Sequence, residues 1–129
     1  MALGYSATLR NAQLDQITTA VGASGKVRIY SGTRPATGGT ATTLLAELPC
    51  SATFAPASSA GVLTLNALTT ATAVASGTAS WFRILTSANV AVVDGDVGTS
   101  GSDLNLNSTS ITSGGNVSVT SFTITAGNA

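Results

Sequence analysis

After Gly25 the chain consists of short runs in which hydrophobic residues occupy every second position, and turn residues separate one run from the next. Because successive side chains on a β-strand point to opposite faces, this alternation predicts strands with one buried face. We count about eight such runs, from KVRIY to VSVTSFTIT, and that number of short strands is typical of an antiparallel β-sandwich or barrel. We therefore predict an all-β fold.

The phase of the alternation assigns side chains to the two faces of each predicted strand. In TASWFRILT, the strongest run, Phe82 and Ile84 point one way, whereas Trp81, Arg83 and Leu85 point the other way. The core faces of the other runs are predicted to carry Val27 with Ile29, Leu44 with Ala46 and Leu48, Leu63 with Leu65, and Leu104 with Leu106.

The last run contains a break in phase. Val117 and Val119 cannot share a face with Phe122 and Ile124 in a regular strand, because Phe122 lies three positions after Val119 and three is an odd number. One extra residue near Thr120–Ser121 would bring both pairs onto the same face, which is what a β-bulge does. We predict a bulge there.

The segment from Ser6 to Val21 is the only predicted helix. Ser6 can accept a hydrogen bond as N-cap, and Gly22 stands where a left-handed residue often ends a helix. The apolar residues Leu14, Ile17 and Val21 fall on one face at helical spacing, but this stripe is narrow. We expect such a helix to pack against a larger structure and not to fold alone.

The chain of 129 residues fits a single domain. We divide it into an N-terminal helix or arm, residues 1–24, and a β-sandwich, residues 25–129. Because the predicted strands begin only after the arm, we expect deletion of Ala2 to Val21 to weaken the attachment to a partner more than it weakens the fold.

The chain carries few charges, and they balance. Charged residues make up 8% of the sequence and the formal net charge is zero, whereas soluble domains average about 25%. The five basic residues are scattered, although nucleic-acid binding requires clustered phosphate contacts. No apolar run approaches the roughly 18 residues of a membrane span. We expect no nucleic acid and no membrane as partners, and a surface that tolerates association.

Residues that usually carry catalysis are scarce. The sequence has no histidine, one lysine (Lys26), one glutamate (Glu47) and one cysteine (Cys50). General acid–base and nucleophilic catalysis depend on such groups, and a zinc site needs a Cys/His set. Cys50 follows an apolar run and is interpreted as a buried, inert thiol. We therefore predict no enzyme, no cofactor and no metal site.

Three of the five acidic residues, Asp94, Asp96 and Asp103, lie close together in DGDVGTSGSDLNLN. They could belong to a metal loop, to an active site or to turns between strands. A calcium loop fits only at the first two carboxylates and fails at three later positions, which are occupied by Gly98, Thr99 and Asn105.

The turn interpretation is favoured over a weak cation site. Asp-Gly pairs between alternating runs often form tight hairpin turns, so Asp94-Gly95 is predicted to close a strand. Gly98 and Gly101 are predicted to form a second turn before DLNLN. Because asparagine occupies the same turns, we expect asparagine to replace Asp94 or Asp96 without loss.

The chain resembles a family of small proteins encoded in the structural modules of tailed-phage genomes. Its most specific matching segments are RIYSGTRPATGG and DLNLNSTSI, and the resemblance runs from Tyr5 to Asn128. Members of this family are similar to head decoration (cement) proteins, which resemble jelly-roll sandwiches on the capsid shell. The resemblance implies a jelly-roll-like, antiparallel β-sandwich and no catalytic motif.

The resemblance also implies a function and partners. We expect a virion protein, assembled in the bacterial cytoplasm, that binds the major capsid protein and itself as a dimer or trimer. Termini and long loops can be extended onto a neighbour, so the binding elements are predicted to be the N-terminal segment Ala2 to Val21 and the loop Gly32 to Thr40. The predicted contact residues are Tyr5, Leu9, Arg10, Leu14, Arg34 and Pro35.

An alternative function is a phage tail or fibre component that binds a receptor or carbohydrate. In that case the exposed aromatic residues would stack on sugar rings, and the candidates are Trp81, Tyr30 and Tyr5. Trp81 is also a candidate for the core, because apolar residues lie on both faces of its strand.

Overall fold

The structure is a computed structural model that describes residues 4–66 and 68–125. It is mostly β, with one helix in the described residues. The elements are α1 (Ala7–Val21), β1 (Lys26–Ser31), β2 (Thr43–Pro49), β3 (Val62–Thr64), β4 (Ala71–Thr72), β5 (Gly77–Thr78), β6 (Trp81–Leu85), β7 (Ala91–Gly98), β8 (Leu104–Leu106), β9 (Ser110–Ile111), β10 (Asn116–Val117) and β11 (Val119–Thr125).

Seven strands form one large sheet in the order β2-β1-β6-β7-β8-β11-β3. Adjacent strands within this sheet are antiparallel, except that β7 and β8 are parallel over two residue pairs. Two small pairs, β10 with β4 and β5 with β9, complete the described strands. The prediction of a β-rich fold is confirmed. The strand count exceeds eight because four strands have only two residues, too few to show an alternation.

The helix begins and ends close to the predicted positions. The Ser6 hydroxyl accepts a hydrogen bond from the Leu9 N–H at 3.1 Å, so Ser6 is the N-cap. Gly22 has a positive φ of 70°, and its N–H donates to the Thr18 carbonyl at 3.1 Å. Its ψ of −158° lies outside the left-handed helical region, so the prediction was right about the sign of φ and wrong about the conformation.

Helix α1 belongs to the same core as the strands. Leu14 and Val21 are each 2% exposed and lie in the main hydrophobic cluster, with Ile17 packed against it. Asp15 accepts a hydrogen bond from the Ser58 N–H at 2.9 Å, so the polar side of the helix also holds the chain before β3. We therefore now expect loss of the helix to destabilise the sheet.

The predicted faces of β6 are confirmed. Phe82 and Ile84 lie in the main core, whereas Trp81, Arg83 and Leu85 are buried on the opposite face of the sheet. Both faces of this strand are therefore covered.

In β2 the prediction for Leu44 is wrong. The pairing of β1 with β2 shifts by one residue, so Leu44 lies opposite Tyr30 and Ala46 lies opposite Ile29. Leu45 is the extra residue and is fully buried, whereas Leu44 is half-buried on the other face. A β-bulge changes the phase of the strand at this point.

The predicted bulge in the last strand is confirmed. In β11, Val119 pairs with Leu106 and Ser121 pairs with Asn105, which leaves Thr120 as the extra residue. The remaining predicted core residues are buried or packed against the core: Val27, Ile29, Ala46, Leu48, Leu63, Leu65, Leu104 and Leu106.

The helix allows a direct test of its contribution to the core. We expect Leu14→Ala to lower the free energy of unfolding by about 3 kcal/mol, because it leaves a cavity under the helix. The matched control is Leu9→Ala on the same helix, where the side chain is 46% exposed and the change should be within about 0.5 kcal/mol. Urea denaturation measures both, and equal losses would contradict the placement of the helix.

Candidate interaction surface

The first part of the acidic stretch belongs to strand β7, although a turn was predicted there. Asp94 and Gly95 lie within β7, so the prediction of a hairpin turn at this pair is wrong. The β6–β7 turn lies earlier, where Asn89 has a φ of 66° and donates to the Thr86 carbonyl at 2.9 Å. Gly95 is needed for close packing, because a Cβ there would lie 2.5 Å from the Phe82 ring.

The second predicted turn is present at Gly101, whereas Gly98 is the last residue of β7. The connection between β7 and β8 bends sharply, and Gly101 has a φ of 69°, a conformation that glycine adopts without strain. The turn brings Asp103 back beside β7, where its carboxylate accepts a hydrogen bond from the Asp96 N–H at 3.1 Å.

Asp94 forms a buried ion pair with Arg83, its cross-strand neighbour on β6. The guanidinium donates two hydrogen bonds to the carboxylate, at 2.8 and 2.9 Å. The side chains are only 7% and 1% exposed. Two parallel hydrogen bonds of this kind fix the geometry of both partners, and a charge buried in this way cannot lose its partner cheaply.

This pair is part of a row of four charges that crosses the sheet. Glu47, Arg28, Arg83 and Asp94 are successive neighbours on β2, β1, β6 and β7. The two arginines lie directly opposite each other, which is unfavourable for like charges. Each arginine binds an acid on its outer side, and the Arg28–Glu47 distance is 2.7 Å. The row is therefore neutral only when both acids are present.

The pKa values of the row reflect this arrangement. Burial raises the pKa of Asp94, but the hydrogen bonds from Arg83 and the Gly38 N–H and the charges of Arg83 and Arg34 outweigh burial, so the net pKa is below its ordinary value. The hydrogen bond to Asp94 raises the pKa of Arg83, and that to Glu47 raises the pKa of Arg28. The geometry therefore stabilises the charged form of all three groups.

Trp81 lies next to the row and is covered. Its ring stacks on Tyr30 with a centroid distance of 4.3 Å, and the Arg83 guanidinium carbon lies 5.1 Å from its centroid. Its indole N–H donates to the Thr42 hydroxyl at 2.9 Å. Trp81 is 0% and Tyr30 is 3% exposed. Neither ring can stack on a sugar, so these two candidates of the fibre hypothesis are wrong.

The cover over this face is the long loop between β1 and β2, residues 32–42. The Gly38 N–H donates to the Asp94 carboxylate at 3.1 Å, and the Thr42 hydroxyl donates to the Ser31 carbonyl. The loop is thus fixed at its centre and at its end, and it completes the hydrogen bonds of the buried carboxylate.

The predicted contact residues of this loop lie on its outer side. Arg34 forms an ion pair with Asp96 at 3.5 Å, with side chains that are 41% and 65% exposed. Pro35 is half-buried. Both residues are accessible in part, and an exposed pair of this kind contributes little to stability.

The predicted contact residues of the N-terminal segment differ in exposure. Tyr5 and Leu9 are 36% and 46% exposed. Arg10 is half-buried, and its guanidinium lies over Gly61, where a Cβ would be 2.5 Å from Nη1. Leu14 is 2% exposed and belongs to the core. The prediction that Leu14 contacts a partner is wrong, because it lies on the inward stripe of the helix.

Two other groups considered as chemical candidates, Cys50 and Lys26, are half-buried. Burial raises the pKa of the Cys50 thiol to about 11, which keeps it protonated at neutral pH. The Lys26 ammonium donates to the Asn89 side chain at 2.7 Å. Among the residues that the structure describes, no group of three or more potential ligands could hold a metal ion, and no helix is long and apolar enough to span a membrane.

The ion pair of Arg83 and Asp94 was not predicted from the sequence, although one feature of the sequence indicates it. Arg83 interrupts WFRIL, a run that is otherwise apolar. A charged residue inside such a run needs a partner, and an acid on the next strand was the obvious candidate.

The two aspartates of β7 form a matched pair for mutation. We expect Asp94→Asn to lower the free energy of unfolding by about 3 kcal/mol, because it leaves a buried arginine without its counter-ion. Asp96→Asn removes an exposed pair and should cost less than about 1 kcal/mol. Chemical denaturation measures both, and equal tolerance would support the turn interpretation.

The lowered pKa of Asp94 predicts a pH dependence. Its folded pKa is below the unfolded value of about 3.9, so the stabilisation is complete above that value and is lost as pH falls through the folded pKa. We expect the free energy of unfolding to decrease below about pH 4, and to decrease less in Asp94→Asn. Denaturation at several pH values tests this, and identical pH profiles would exclude Asp94 as a cause.

No known family model matches the chain, and no curated protein and no solved structure matches it.

Proposed function

We propose that the chain is a non-enzymatic structural protein of a phage virion, a capsid decoration (cement) protein. It binds and stabilises the shell of the major capsid protein, and it associates with itself as a dimer or trimer on the particle surface. A jelly-roll-like sandwich is the architecture that goes with this role, and no cofactor takes part.

The observation that carries the proposal is the outer face of α1. Charged side chains normally cover the solvent face of a surface helix. Here the two charged residues of α1, Arg10 and Asp15, do not face solvent on the outer side. They are directed at Gly61 and Ser58, in the segment that precedes β3 of the same chain. The outer face is left with exposed, uncharged side chains, and the exposed Tyr5 lies just before the helix; the helical residues are Leu9, Ala12, Gln13, Gln16, Thr19 and Ala20.

Such a face suits a permanent contact with another protein. Its small and apolar residues can approach a neighbour closely, and two copies would not repel each other. Tyr5 and Leu9 are two of the four large hydrophobic residues that are exposed in the described part of the chain. They are the residues that we expect to anchor the contact.

The docked loop supports a second contact. Arg34 and Pro35 are presented by a loop that Gly38 and Thr42 already hold in place, so binding would require little ordering. The basic groups also argue against nucleic acid, because Arg28, Arg34 and Arg83 are each paired with an acid of the same chain. Few charges are available for phosphates.

The contact with the shell should be insensitive to salt. Apolar burial is not weakened by moderate salt, whereas exposed ion pairs are screened as the Debye length falls to about 3 Å at 1 M. We expect the protein to co-sediment with emptied capsids of the encoding phage from low salt to about 1 M salt. Release at moderate salt would contradict an uncharged contact.

Surface variants locate the contact without disturbing the core. We expect the double variant Tyr5→Ser, Leu9→Ser to bind the capsid at least about tenfold more weakly, since two buried apolar anchors are worth more than 1.4 kcal/mol. The control is Val90→Ser in the β6–β7 turn, a similarly exposed apolar residue at 59%. Equal binding by the wild type, the double variant and the Val90→Ser control would exclude the outer face of α1 as the contact with the capsid. Labelling of the tail of the particle in place of the capsid would favour the tail alternative.

A further inference from the structure

The large sheet contains a gap between β7 and β11. The strand between them, β8, has three residues, and it pairs with β7 only at Val97 and Gly98. Its pairing with β11 ends at Phe122. Beyond these points no described strand lies between Val93–Gly95 of β7 and Thr123–Thr125 of β11.

The gap has the width of one strand. Neighbouring strands lie about 4.8 Å apart, so β7 and β11 are separated by roughly 10 Å where they flank β8. A cavity of about 180 Å³ lies in the gap and is lined by both strands and by Phe82 and Asp103. Three residues on each wall give it a length of about 10 Å.

Backbone groups on the β7 wall point into the gap. The Val97 N–H donates to the Ser80 carbonyl, on the side of β6, whereas the Asp96 N–H donates to the Asp103 carboxylate on the other side. Backbone groups of successive strand residues point to opposite neighbours. The N–H and C=O of Asp94 therefore point the same way as those of Asp96, into the gap.

The β11 wall is equivalent. The Phe122 carbonyl accepts a hydrogen bond from the Leu65 N–H at 3.3 Å, on the side of β3. By the same alternation, the N–H and C=O of Thr123 point away from β3 and into the gap. Both walls thus offer the hydrogen-bonding pattern of a sheet edge.

The floor and one end of the gap define the chemistry of an occupant. Gly95 has no side chain, and the position of its missing Cβ lies 2.5 Å from the Phe82 ring and 3.0 Å from a carboxylate oxygen of Asp103, so the floor is apolar on the Phe82 side and acidic on the Asp103 side. Asp103 closes the end. Asp94 is paired with Arg83, but Asp103 has no ion-pair partner among the described residues. An inserted strand therefore fits the gap if it places an apolar residue against the Phe82 ring and a basic residue beside the Asp103 carboxylate.

We propose that this gap is a strand-acceptor site, into which a partner protein inserts a short extended segment carrying an apolar residue flanked by lysine or arginine. The segment adds a strand between β7 and β11, in the manner of β-augmentation. Main-chain hydrogen bonds to Asp94 and Thr123 supply the affinity, and Asp103 selects a basic segment. The site can function whether or not the partner is a capsid protein.

The test uses the full chain and the acetylated, amidated pentapeptide TKVKT. Amide hydrogen exchange, followed by NMR, should slow at Asp94 and Thr123 by about tenfold when the peptide is at ten times its Kd. Two control peptides should give little or no protection: TEVET, which is repelled by Asp103, and TKVKT with an N-methylated valine, which lacks a strand donor.

Two variants separate binding from folding. Asp103→Asn keeps an acceptor for the Asp96 N–H but removes the charge, and it should weaken TKVKT by about threefold and abolish the preference over TEVET. Thr123→Pro removes an N–H that faces the gap and should abolish binding, whereas Thr123→Val should bind normally. Circular dichroism and the melting temperature verify that each variant is folded.

Several results would overturn the proposal. No protection by TKVKT, or equal protection by the N-methylated peptide, would exclude strand addition. Equal binding of TEVET would exclude selection of a basic segment. Protection in the free protein that rises with protein concentration would assign the gap to a second copy, and protection independent of concentration would assign it to the same chain. These experiments do not measure capsid binding, so the strand-acceptor proposal and the proposed function can fail independently of each other.

Discussion

The buried ion pair of Arg83 and Asp94 determines how the second face of the sheet is built. Arg83 stands in the middle of a strand that is buried on both faces, where an unpaired charge would be strongly unfavourable. Asp94 neutralises it, and the Gly38 N–H completes the hydrogen bonds of the carboxylate. The loop that carries Gly38 must therefore cross this face. Its course buries Trp81 and leaves Arg34 at the surface.

Elements with a local signal were predictable from the sequence. Ser6 precedes a helix with one apolar stripe, and the structure uses it as the N-cap. The run WFRIL is five residues long, so the two faces of the strand, with Phe82 and Ile84 on one of them, could be assigned from position alone. The bulge at Thr120 could be predicted because a clear alternation precedes and follows it. In each case a few neighbouring residues contain all the information required.

Features that depend on pairing between distant segments were not predictable. Leu44 and Leu45 are identical, so the alternation cannot reveal which of them is the bulged residue; the register with β1 decides it. Asp94-Gly95 reads as a turn because the packing of Phe82 against Gly95 is invisible in the sequence. For the candidate surface, the exposure of Tyr5 and Leu9 was anticipated, but the burial of Leu14 and the docking of the loop depend on tertiary contacts.

The gap beside β8 can persist in a folded protein because Asp103 substitutes for part of the missing strand. Its carboxylate accepts the hydrogen bond of the Asp96 N–H that a strand carbonyl would otherwise accept. The remaining edge groups, at Asp94 and Thr123, are few and can be satisfied by water, so folding does not require an occupant. An occupant exchanges these water contacts for a short ladder, and the net gain per hydrogen bond is only about 1 kcal/mol. The affinity of a single segment should therefore be modest, and it becomes large only when other contacts, such as the uncharged face of α1, hold the same partner in place.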